Sequence, residues 1–205
     1  MRVSETSTSP PGLPPKTVKL DRGGRVTVPR PAAIAATLLR LTLALVYLWG
    51  FINQAFGVSY TNSATNSAGQ AVSYGWHFSY NSSLGWITSG FTHSPTAAFI
   101  GNTHGPLAFV LKNLPTGLDD VGWMFALGGL GVALALGICM RVAGWGGFLL
   151  NMLLWLSLFP PGGNPIVDGM HTTYAFALLL LGFLHAGNYF GLGRWWEAHT
   201  PSLIH

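Results

Sequence analysis

Charge is what this sequence lacks most. Only 8% of its 205 residues are Asp, Glu, Lys or Arg, against about 25% in an average soluble domain. A water-soluble fold of this length needs charge to cover its outside. A chain with 49% hydrophobic residues and so few charges therefore presents much of its surface to lipid. Cysteine is nearly absent too. Cys139, the single one, excludes an intrachain disulfide, a CxxC redox pair and a thiolate metal cage, and its place near the end of an apolar run reads as a small packing residue. Phosphate-binding loops, nucleophile elbows, dinucleotide fingerprints, His-x3-His pairs and His-Glu-x-x-His runs are also missing. The expectation is no metal site and no covalently bound cofactor.

The net charge of +4 raises nucleic acid as a partner, and the placement of the basic residues removes it. Arg2, Lys16, Lys19, Arg22, Arg25 and Arg30 precede the first long apolar run. Arg40 lies within it, and Lys112, Arg141 and Arg194 follow singly, so no basic stripe remains.

What the sequence does contain is four apolar stretches, residues 32–56, 121–139, 142–159 and 172–190. Each comes close to the roughly 20 residues that a hydrocarbon core about 30 Å thick requires. Runs this continuous satisfy their backbone as helices rather than strands. The expected fold class is an all-α integral membrane protein, a bundle of four transmembrane helices over residues 31–197 with an extracytoplasmic cap, residues 57–120, between the first two. The second and third stretches are joined by little more than Met140 and Arg141, which predicts a tight helical hairpin. Gly128, Gly129, Gly131 and Gly137, with Gly144, Gly146 and Gly147, permit close helix contact in lipid.

Residues 1–30, with the run "TSPPGLPP", cannot bury a core and read as a loosely held arm rather than a cleavable signal peptide; residues 198–205 form a tail. The positive-inside rule puts both termini and the Arg141 turn in the cytoplasm of a cell that reads as prokaryotic, leaving Lys112 alone among the basic residues on the other side.

Candidate site residues fall in two groups. In the 57–120 segment, Tyr74, Trp76, Phe78, Tyr80, Trp86 and Phe91 form either an interfacial belt with a small packed cap or a wall for a flat ligand such as a quinone ring. His93 and His104 are there as proton carriers or as ordinary loop residues. The segment 106–117 is too short to cross a membrane and reads as an interfacial or re-entrant helix, and Asp119 with Asp120 reads as a helix start.

The second group lies in the helices. Arg40, some 12 Å along the first pass at 1.5 Å per residue, is either a snorkelling anchor or a functional cation. Asp168 precedes the last helix, where it caps the positive helix end or shares a proton or substrate contact with His171. His171 and His185 are fourteen residues apart, about 21 Å along nearly one face of one helix, with Tyr174 and Asn188 on or beside it. That stripe is either a set of helix-to-helix hydrogen bonds or a proton path along a quinone cleft.

The closing segment "NPIVDGMHTTYAFALLLLGFLHAGNYFGLGRWWE" resembles that of DoxX/DoxD membrane proteins, through Asn164, Pro165, Asp168, His171, Gly187, Gly191, Leu192, Gly193 and Arg194. The segment "SPTAAFIGNTHGP", with Ser94, Pro95, Thr96, Phe99, Gly105 and Pro106, is similar to the DoxD-type loop, and Arg40 matches an arginine early in the family's first helix. The likeness covers most of residues 32–197; where the family often has a lysine near the outer end of the first helix, this chain has Asn53 and Gln54. The resemblance implies a four-helix membrane subunit of a thiosulfate:quinone oxidoreductase, passing electrons to quinone and working with a smaller partner subunit. His171, Asp168 and His93 are then the candidate proton-exchanging residues, and Arg40, Trp76, Trp86, Tyr174 and His185 the candidate quinone contacts. The competing expectation is a non-catalytic accessory or assembly subunit of a larger respiratory or envelope complex. A transporter fits less well, since one polar stripe and no internal repeat match few transporter designs.

Overall fold

A computed structural model of the chain describes residues 28–200, apart from 67, 116 and 164. Most of the proline-rich arm, the last residues of the tail and Asn164 lie outside the described residues.

The longest helix, α1 (Arg30–Phe56), starts with proline in its first turn, where the missing N–H costs nothing. It stops at Gly57, which is left-handed and donates its N–H to the carbonyl of Asn53. Only glycine fits there, because a Cβ would run into the backbone of Asn81. Two antiparallel strands follow, β1 (Val58–Thr65) and β2 (Ala71–Tyr80), paired from Val58 opposite Tyr80. Short helices α2 (Ala97–Asn102) and α3 (Ala108–Lys112) lead to α4 (Leu118–Leu136), α5 (Met140–Ser157), α6 (His171–Phe183) and α7 (Gly193–His199). α1 and α4 are long and apolar enough to cross a membrane by length and composition.

The described residues are thus mostly helical, with one departure from an all-α fold. The hairpin was legible as an alternation, since Tyr74, Trp76, Phe78 and Tyr80 occur at every second position on one side of a polar turn. An isolated two-stranded sheet is marginal in water. This one leans on α1 through Trp49, whose ring meets Tyr60 and Phe78 edge-on at 6.5 and 6.2 Å.

The four long helices pack as two pairs, α1 on α4 and α5 on α6. The predicted glycines divide accordingly. Gly128 and Gly131 lie against Phe51 and Leu48 of α1, while Gly144 meets Gly182 and Gly147 meets Leu178 on α6. Gly129 and Gly146 face open space. The turn between α4 and α5 is residues 137–139, and Met140 and Arg141 already belong to α5. The turn is tight, but the two helices it joins touch sparingly because each is committed to another partner. The core runs between the pairs, through Leu43, Tyr47, Leu127, Leu134, Leu178 and Leu181.

Candidate functional site

At the end of the bundle opposite the hairpin, Arg40 is buried, with 1% of its surface exposed. It does not snorkel to the surface. Its Nη2 donates to the carbonyl of Phe190 at 2.8 Å, and Nε and Nη1 have no partner. Gly137 and Gly191 press on the guanidinium so closely that a Cβ at either would overlap Nη1. A cation enclosed by the chain ends of α4 and of the 186–188 turn sits where helix carbonyls leave partial negative charge. Arg40 is therefore a packed pin between helix ends.

The His171 to His185 stripe is not continuous. α6 ends at Phe183, Leu184 caps it, and His185 takes the left-handed conformation (φ +47°) that closes a helix. The turn throws His185 off the helical face, into a cleft of about 210 Å³ beside Arg141, Trp145 and Phe183, where its Nδ1 lies 3.1 Å from the carbonyl of Phe183. Tyr174 stays inside the bundle, its ring 6.5 Å from that of Tyr47. Tyr47 in turn accepts a 2.8 Å hydrogen bond from the buried amide of Asn151. This cross-helix link was signalled by an amide standing alone within the third apolar run.

His171 and Asp168 do meet. The Nδ1 of His171 bonds to Oδ2 of Asp168, while Oδ1 accepts from the Thr172 N–H at 2.8 Å. Asp168 thus caps the first turn of α6 through Thr172, the capping expectation, and its other oxygen is bonded to His171. Burial raises its carboxyl, but the bonds from Thr172 and His171 outweigh that and hold it below the ordinary carboxylate value.

Among the aromatics of the 57–120 segment, Trp76 is 82% exposed and its ring packs against Tyr60 and Phe78. Trp86 stacks edge-on with Phe91 at 4.8 Å and ties its backbone N–H to the carbonyl of Gln54. His93 lines a cleft of about 210 Å³ with Asn53, Gln54 and Pro95.

Gln54 and Pro95 also line a larger cavity, about 460 Å³, at the hairpin end of the bundle between α1, α4, α5 and the 95–114 segment. Its walls are Phe99, Ile100, Trp123 and leucines from α4 and α5, and its polar side chains are Gln54, Thr96 and Asp119. The indole N–H of Trp123 donates to Oε1 of Gln54, leaving the amide nitrogen of Gln54 as an available donor. Thr96 Oγ1 lies 2.8 Å from Oδ2 of Asp119 and 2.7 Å from Oδ1 of Asp120, and Ser94 donates to the same Asp120 oxygen at 2.7 Å. The two aspartates do open α4, as expected, and they also anchor the 94–96 turn over the cavity. A mostly apolar cavity with a few convergent polar groups is the form a small-molecule site takes. Of the predicted residues only His93 adjoins it; His171, Asp168, Arg40, Trp76, Trp86, Tyr174 and His185 do not line it.

Reading along the sequence missed this cavity because Gln54, Thr96, Asp119 and Leu150 come from four separate segments. The available signals were Gln54, a polar residue closing an apolar helix, and the "SPTAAF" segment. Comparison with known proteins returns no match to any family model, curated protein or solved structure.

Proposed function

We propose that this chain is a membrane subunit of a quinone-linked oxidoreductase, crossing the bilayer four times with both termini in the cytoplasm and the hairpin on the outer side. The carrying observation is the 460 Å³ cavity, whose aromatic and leucine walls match a flat ring and whose polar side chains match the oxygens at the ring's edge. The likeness to DoxX/DoxD proteins points to the same ligand, with a sulfur compound such as thiosulfate as electron donor and a second subunit to receive it. α5 and α6 are each shorter than the classical span, at about 27 and 20 Å of helix. In this reading the 184–188 turn completes the last crossing.

A bound quinone supplies two-electron, two-proton redox chemistry. The chain's own residues hold and orient it. Trp123 and Phe99 face the ring, Gln54 donates to one carbonyl, and Asp119, steadied by Thr96, exchanges protons at the other. His93, in the adjoining cleft, is the nearest of the predicted histidines able to pass protons between this rim and water.

The test is quinone binding and thiosulfate-dependent quinone reduction by the purified protein together with any copurifying subunit. Asp119→Asn and Gln54→Leu should each lower reduction at least about tenfold, the range of one lost hydrogen bond to a charged or reacting group. His171→Ala should leave it within about twofold. Binding of no quinone at all, or loss of activity only in the His171 variant, would remove the proposal.

A second reading is favoured by the hairpin. Tyr74, Trp76 and Phe78 are mostly exposed on an unpaired two-stranded sheet, the kind of aromatic surface that docks a partner. It makes the chain an accessory subunit. A respiratory complex that copurifies in mild detergent, detaches on Trp76→Ala and keeps full activity with Asp119→Asn would select it.

A further inference from the structure

A second apolar space adjoins the cavity along α4 and α5. Leu150 forms part of the cavity wall and also the head of that space, an apolar groove of about 660 Å³ between α4 and α5. The groove leads from Phe125 and Leu150 to Ile138 and Cys139 at the opposite end of the bundle. It exists for the reason given by the packing, since α4 spends Gly128 and Gly131 on α1 and α5 spends Gly144 and Gly147 on α6. Gly129 and Gly146 line what is left, and nothing stands within 4 Å of where their side chains would be.

We infer that this groove holds the isoprenoid tail of the quinone whose ring occupies the cavity, so that the ligand is a long-chain membrane quinone. The inference rests on the quinone reading of the cavity. Three observations select this occupant. The groove and the cavity lie end to end along α4 and α5 and share Leu150 as a lining residue, so a ligand seated in the cavity has the groove next to it. Polar side chains line only the hairpin end, which suits an amphiphile with one polar head and a wholly apolar tail. The ionisable residue lining the cavity is a carboxylate, Asp119, which repels the phosphate of a phospholipid and accepts a neutral ring. A partner helix, about 10 Å across, would cover the groove from the side and leave the adjoining cavity with its polar end unfilled.

The tail gains little by leaving one apolar medium for another, so its contribution comes from packing against the groove walls. Equilibrium binding should be measured in nanodiscs of one lipid, with a tail-less and a long-tailed quinone at equal mole fraction in the bilayer. The parent should bind the long-tailed form at least about tenfold tighter, or 1.4 kcal/mol. Gly146→Leu should abolish most of that preference while leaving the tail-less affinity within about twofold, and Gly129→Leu, on the facing helix, should do the same. The two variants guard against one of them failing to fold, which a thermal melt will show. Tail-less binding with no chain-length preference, or a preference untouched by both variants, overturns the tail inference and leaves the cavity reading standing. Binding of neither quinone to the parent overturns both. If the variants instead shed a subunit or change the oligomeric state, the groove is a helix-docking surface and the inference is wrong.

Discussion

At the scale of single residues, two glycines with opposite surroundings show what holds the bundle closed. Gly137 has φ +73° and lies against the guanidinium of Arg40, so a side chain there meets both backbone strain and a buried cation. Gly137→Ala should cost more than about 2 kcal/mol. Gly129→Ala, in open space on a regular helix, should stay within about 0.5 kcal/mol of the parent or gain from the better helix former. Thermal melts in one detergent compare them. Asp168 gives a pH test. Its carboxyl titrates below the ordinary value, so the native state favours the charged form. Its stabilisation is complete above the unfolded-state value near 3.9 and is lost as pH falls through the lower folded value. Asp168→Asn should therefore melt earlier than the parent at neutral pH, with the difference shrinking on acidification. A gap that widens in acid would contradict the capping geometry.

At the scale of elements, the division of α1 with α4 and α5 with α6 sets what each helix face tolerates. Gly144 meets Gly182 so closely that a larger residue must push α5 from α6, whereas Gly146 lies on an open face. Gly144→Leu should reduce folded yield and stability severely, by more than about 3 kcal/mol, and Gly146→Leu should fold. Equal loss in both would mean that α5 packs on a partner along its open face. This division also marks where the sequence stopped being informative. The apolar runs gave the positions of α1, α4 and α5 to within a few residues, because hydrophobic length is a local property. Which glycines would be covered depends on neighbours from other helices, and periodicity does not carry that. The apolar run extends seven residues past the end of the last long helix for a related reason. That run continues to Phe190, while the chain turns at His185 to bring Phe190 and Gly191 onto Arg40. A short-range count of apolar residues does not register that long-range contact.

At the scale of the whole molecule, the candidate site emerges only when four segments meet. His93, His171, Asp168 and Arg40 were singled out because ionisable groups are costly in an apolar chain, and that logic led to three different places. One was a helix cap with its histidine, one a pin between helix ends, and one the cleft beside the cavity. Composition shows which groups need an explanation, and the fold decides which explanation each receives. The proposed quinone site and its groove presuppose that lipid surrounds all four long helices, two of which meet the length and apolarity expected of a span by themselves.

Side-selective cysteine labelling in intact cells tests that premise most directly, with Cys139→Ser as background and single cysteines at Ala68, Gly162 and Arg194. Four crossings predict that an impermeant maleimide labels Ala68→Cys and Gly162→Cys from outside and reaches Arg194→Cys only after permeabilisation. Labelling of Ala68→Cys with Gly162→Cys protected would mean that only α1 and α4 cross, and would contradict the account.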